Sequence, residues 1–246
     1  MVGVNIIGCF ASAGAGTSGQ TVDSVWKGAY KAGGIALVIA GFLGLLVLIP
    51  GLALGTLPTT GEGYLTWAGE TSTFGAFFAL SAASDFFYIP AVLGLYLALK
   101  DVRKTGMLFA VAVWGFAIAL DLSRLFVSYS VSSLSSGYAA ATSQAQQAAY
   151  VAASDVVFGT SYGASFVAIS VIFYVAILII SWVMLKSVFG KGIAYLGIVT
   201  SIVGLVGSPY SPALFPNGVL FVPFLIGGVL SSIWSVLAGY KLYKLG

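Results

Sequence analysis

Charged residues in this chain fall in the gaps between long apolar runs and almost nowhere else. Only 7% of the 246 residues are charged, whereas 59% are hydrophobic. A domain that faces water usually carries about 25% charged residues. With so few charges no water-facing surface can be covered, and lipid is the expected main solvent. Inside lipid every backbone N–H and C=O has to be satisfied within the protein. A helical span then needs about 20 mostly apolar residues. Six runs meet or approach that requirement, at about 32–54, 74–99, 107–127, 162–185, 193–207 and 219–238. The fifth is the shortest and contains Gly197 and Gly204. The expected fold is an all-α, polytopic transmembrane bundle of six helices over residues 29–246, preceded by a tail at 1–28.

The basic residues orient these runs. Cytoplasmic loops concentrate Lys and Arg. Lys27 and Lys31 precede the first run, and Lys100, Arg103 and Lys104 separate the second from the third. Lys186 and Lys191 separate the fourth from the fifth, and Lys241 and Lys244 close the chain. In a six-span arrangement all nine lie on one side, so both termini are expected in the cytoplasm and the protein in the cell membrane. A different span count would scatter them.

Two connections on the opposite side carry polar sequence. The first, "GTLPTTGEGYLTWAGE", reads as a loop whose Tyr64 and Trp67 anchor at the headgroup level. The second includes "TSQAQQAAYVAASDVV", where Ser143 followed by Gln146 fits a capping box. An external helix is expected over about 144–157, ending near Gly159 or Gly163. Small residues four apart mark expected helix contacts: Gly51 with Gly55, Gly197 with Ser201, and Gly228 with Ser232. The stretches "FYIPAVLGLYLALKDVRKTG" and "FYVAILIISWVMLKSVFGKG" resemble each other weakly, as two equivalent helix–turn–helix corners would.

Against this background Asp85, Asp121 and Arg124 stand out, because each falls inside an apolar run. Counted from the basic ends at a rise of about 1.5 Å per residue, both acids lie about 20 Å deep. Arg124 is three residues beyond Asp121 and therefore on the same helix face. A lone charge at mid-bilayer costs roughly 2.5–3.5 kcal/mol on insertion scales. Clustering shares that cost, with Arg124 holding one carboxylate while the other keeps a proton. Tyr88 lies one turn from Asp85 and adds a hydroxyl. Pro90 removes a backbone hydrogen bond close by. Asp85, Tyr88, Asp121 and Arg124 are the expected ligand-binding or structural cluster. Polar side chains of this kind also serve purely as glue between helices.

Other chemistry is excluded by composition. There is no His and a single Cys, Cys9. Imidazole metal sites, bis-His haem, an intrachain disulfide and a four-Cys cluster are therefore ruled out. No cofactor and no metal site are expected. The scattered basic groups and a net charge of +3 argue against a nucleic-acid partner. The first residues have no basic n-region, and "IIGC" only faintly matches a lipoprotein processing site.

From about residue 72 to residue 210 the chain resembles a widespread, uncharacterised family of multi-spanning prokaryotic membrane proteins. The resemblance rests on "SDFFYIPAVLGLYLALK", on the Asp121 helix, and on "YAAATSQAQQAAYVAA" followed by "SYG". It implies a polytopic inner-membrane protein and brings no reaction with it. Three roles follow from the residues. The first is binding or transport of a small ligand or proton at the Asp/Arg cluster. The second is a non-catalytic accessory subunit packed against other membrane subunits. The third, an intramembrane hydrolase using the two acids, is the weakest for want of a His, a metal motif or a nucleophile elbow.

Overall fold

A computed structural model describes residues 24–53, 58–208 and 221–246 of the chain. Most of the expected N-terminal tail, including Cys9, lies outside the described residues, and so does the Gly51–Gly55 pairing, through Gly55. Among the described residues there are helices and no strands. They are α1 (Lys27–Ala53), α2 (Gly61–Glu70), α3 (Phe74–Leu99), α4 (Lys104–Tyr129), α5 (Val131–Ala140), α6 (Gln144–Tyr162), α7 (Ala164–Met184), α8 (Lys191–Gly207) and α9 (Phe221–Tyr243). Five helical stretches are long and apolar enough to cross a membrane, and they contain α1, α3, α4, α7 and α9. The fifth run of the sequence forms α8, a shorter apolar helix of 17 residues.

The long helices and α8 close into a ring. α1 packs against α3 and α9, α9 against α8, α8 against α7, α7 against α4, and α4 against α3. Glycine makes the tightest of these approaches possible. A Cβ added at Gly33 of α1 would sit 2.9 Å from the Cα of Gly94 in α3, and one at Gly227 of α9 would sit 2.9 Å from the Cα of Gly204 in α8. Of the expected contact pairs, Gly197 does press on the Ser181 and Trp234 side chains, and Ser232 on Gly41 and Gly44. Gly228 faces open space instead. The contact is made one residue earlier, at Gly227, because that position points across the seam to α8.

Aromatic rings fill the middle of the ring of helices. Trp114 of α4 and Trp234 of α9 are fully buried, their centroids 6.1 Å apart, and Tyr88 of α3 lies 5.4 Å from Trp114. The outward faces carry large apolar side chains such as Phe42, Phe86, Phe116 and Trp182. That distribution suits lipid on the outside and close packing within.

The basic residues gather at one end. Lys100, at the end of α3, places its ammonium 5.3 Å from the ring of Trp26, just before α1. Gly34 in α1 is packed against the backbone of Tyr243 at the end of α9. Gly106 at the start of α4 meets Val183 at the end of α7. The turn from α7 into α8 uses Gly190 at φ 88°, a left-handed conformation that side-chain-bearing residues avoid.

At the opposite end α2, α5 and α6 form a helical cap with an apolar core of its own. The segment read as a polar loop is helical from Gly61, with Thr60 as N-cap accepting from the Gly63 N–H. Tyr64 is correspondingly not a headgroup anchor. It is fully buried and stacks on Trp67 with centroids 5.5 Å apart. Alternating Gly and polar residues hid this helix, because only Tyr64, Leu65 and Ala68 form its buried stripe. The expected external helix is present and longer, running to Tyr162 and ending at Gly163, while Gly159 stays helical. Ser143 accepts from the Gln146 N–H at 3.3 Å, and the Gln146 side chain reaches back to the Thr142 N–H at 3.0 Å. Asp155 of α6 accepts from the Gly61 N–H at 2.7 Å, placing a carboxylate at the N-terminus of α2.

Gly33→Ala and Gly228→Ala separate packing from intrinsic helix propensity. Ala normally stabilises a helix interior by about 0.5–1 kcal/mol relative to Gly. Thermal melting in detergent should show Gly228→Ala unchanged or raised. Gly33→Ala should melt lower, by an overpacking cost of about 1–3 kcal/mol.

Candidate functional site

Two helices bring the intramembrane charges together. Asp85 and Tyr88 lie one turn apart on α3, and Ala117, Ile118, Asp121 and Arg124 follow at helical spacing on α4. Asp85 is fourteen residues from the end of α3, or about 21 Å. α4 begins three residues earlier than the apolar run implied, so Asp121 is seventeen residues in, or about 25 Å. The two acids therefore sit at similar depth on adjacent antiparallel helices. Asp85 is within electrostatic reach of both Asp121 and Arg124.

Arg124 is the anchored member. Its Nε donates to Asp121 Oδ1 at 2.6 Å, and its Nη1 donates to the Ser161 carbonyl at 3.2 Å. The guanidinium carbon stands 5.1 Å from the centroid of Phe166 on α7. One turn further along α4 the Ser128 and Ser161 hydroxyls meet at 2.6 Å. The Arg124 side chain is 8% exposed and that of Asp121 25%. One residue of α4 thus holds the end of α6 and the beginning of α7. A planar five-donor group suits this divided role better than an ammonium would.

Beside the pair lies a cavity of about 190 Å³. The share of one liquid water is about 30 Å³, so the space is large enough for a small molecule. Asp85, Tyr88 and Asp121 are on its wall, and Arg124 is not. Three of the four expected site residues line the cavity, and the fourth positions one of them. The cavity lies toward the helical cap, beyond the buried Trp114–Trp234 pair.

α7 supplies residues that the charged-group reading passed over. Phe166, Ile169, Ser170, Phe173 and Tyr174 all line the cavity. Their spacing is i, i+3, i+4, i+7 and i+8, which is one face of a helix. The stripe was visible in the sequence, but nothing there said that it faces Asp85. Phe224 of α9 completes the wall, 5.7 Å from Phe166.

The hydrogen bonds around the cavity are uneven. The Tyr88 hydroxyl lies 3.4 Å from Ser235 on α9, and the Ser84 hydroxyl donates to the Ala40 carbonyl at 3.2 Å. Ser170 donates to the Phe166 carbonyl of its own helix. Oδ2 of Asp85 is buried and has no hydrogen-bond partner. Pro90 lies within α3, which continues unbroken to Leu99. Asp155 of α6 is occupied at Gly61 and takes no part in the cavity.

Removing one member of a buried ion pair costs about 3–5 kcal/mol, and the partial exposure of Asp121 places this pair at or below the lower edge. Arg124→Ala should therefore lower the melting temperature clearly, whereas Asp85→Asn, which breaks no ion pair, should lower it less. Thermal melts of the two variants side by side check this. In comparisons with known proteins, no family model, curated protein or solved structure matches the chain.

Proposed function

We propose that the chain is a six-span membrane protein that binds a small ligand or a proton at the Asp85–Tyr88–Asp121–Arg124 cluster. The single observation that carries this reading is the cavity of about 190 Å³ whose wall carries two acids, Asp85 and Asp121, beside Tyr88. A chain that used its charges only as glue would pair and close them. Here Arg124 is spent on three groups, none of them Asp85.

In this proposal α8 is the sixth span. At 17 residues it is about 25 Å long, close to the thickness of a bilayer core. Its place in the ring between α7 and α9 supports that role. The gathered Lys and Arg residues support a cytoplasmic position for both termini and the cap on the outer face of the cell membrane. Kinship with the prokaryotic multi-spanning family that residues 72–210 resemble belongs to the same proposal.

The accessory-subunit reading expects a flat glycine face offered to a partner. The tightly approached glycines Gly33, Gly34, Gly41, Gly204, Gly227 and Gly239 are accounted for by helices of this same chain.

Topology is checked by replacing Cys9 with Ser and placing a single Cys at Asp101 or at Ser136. In right-side-out membranes an impermeant thiol reagent should label Ser136→Cys and spare Asp101→Cys. Function is checked by native mass spectrometry on protein extracted gently from its own membrane. A small bound mass that disappears in Asp121→Asn and also in Asp85→Asn, which leaves the ion pair intact, supports a ligand site. A co-released protein that persists in the mutant replaces this reading with the accessory subunit.

A further inference from the structure

We infer that the cavity takes a small organic cation, a protonated alkylamine, with its N–H directed to Asp85 and its alkyl part against the surrounding rings. The inference rests on the proposed reading that the Asp/Arg cluster is a ligand site, and it names the class of ligand.

Charge count is the first argument. The cluster holds two acids, Asp85 and Asp121, and one base, Arg124. The ion pair at 2.6 Å assigns Arg124 to Asp121. Asp85 remains on the cavity wall and shares no ion pair among the described residues. A protonated amine bound there would match an ionised Asp85, and charge-assisted hydrogen bonds are the strong ones.

The rest of the wall decides between kinds of cation. A hard metal ion asks for six or more oxygen ligands. Among the described residues no group of three His, Cys, Asp or Glu side chains converges anywhere. The wall hydroxyls of Tyr88 and Ser170 already have partners. Five aromatic side chains, Tyr88, Phe166, Phe173, Tyr174 and Phe224, line the same space. Ring faces attract ammonium groups, and cages of rings recognise them in water-poor sites. One cation is already held this way here, since the Arg124 guanidinium lies over Phe166.

The test uses the full chain in lipid nanodiscs and three probes of similar size: n-butylammonium, n-butanol and butyrate. Binding is read calorimetrically at constant ionic strength. The expected result is binding of butylammonium at least about tenfold tighter than of butanol, with none of butyrate. Asp85→Asn should weaken butylammonium by about tenfold or more, the scale of a hydrogen bond to a charged group. Phe173→Leu keeps an apolar wall but removes a ring, and should weaken it by about threefold. Asp155→Asn, outside the cavity, should leave it unchanged. Melting temperatures of all variants are read alongside, and Phe173→Leu carries the test if Asp85→Asn does not fold. Butylammonium binding that is unchanged in both Asp85→Asn and Phe173→Leu overturns the inference. Asp85-dependent binding of butanol or butyrate in preference overturns it while leaving the ligand site standing. Uptake of a proton at Asp85 with no probe bound does the same. If no probe binds and the mass found in native membranes is insensitive to Asp121→Asn, the underlying site reading falls as well.

Discussion

Arg124 is the point on which the half of this bundle nearest the helical cap depends. Its guanidinium reaches Asp121 on its own helix, a carbonyl at the end of α6 and the face of Phe166 on α7. A buried charge has to be met on every side, because the alternative is an uncompensated ion away from water. Meeting Arg124 on three sides fixes where α6 stops, where α7 starts and how both lie against α4. The break at Gly163 between those helices is placed one turn from these contacts. Asp85 is the acid left over by this arrangement, and the cavity is where it is left.

The rest of the ring is held differently. Close glycine approaches bring α1 onto α3 and α9, and α9 onto α8, with backbone nearly touching backbone. Such contact suits helices surrounded by apolar lipid, where packing rather than water exclusion drives association. The Trp114 and Trp234 rings then occupy the space that the small residues leave at the centre. A core filled by tryptophan rings and a cavity toward the helical cap make the bundle asymmetric along its axis. The helical cap adds to that asymmetry with its separate aromatic core around Tyr64.

Much of this was legible from residue order. The long helices, the external helix with its Ser143 cap, the clustering of basic residues and the nearness of Asp85, Asp121 and Arg124 all follow from hydropathy, cap chemistry and helical rise. What was misread were α2 and the surroundings of Tyr64. A ten-residue helix made of "GEGYLTWAGE" has weak propensity, and it is stabilised by Asp155 and Ser154 from a helix 93 residues away and more. No local pattern can announce a cap donated from so far along the chain. The Gly227-for-Gly228 correction has the same origin. Two adjacent glycines look alike in sequence, and the rotation of α9 chooses between them.

The sequence by itself determined that the chain is helical, apolar on its outside and charged chiefly at one end, because scarcity of charge and the length of apolar runs allow little else. It also determined that two acids and one base share a buried level, because rise per residue is constant. Helix packing decided that Arg124 also reaches α6 and α7, that Asp85 and Asp121 share a cavity wall, and that the stripe from Phe166 to Tyr174 faces them. Those outcomes depend on how each helix is rotated about its axis. Rotation is set by side-chain packing between helices that are distant in sequence, and an amphipathic pattern too weak to point inward cannot encode it.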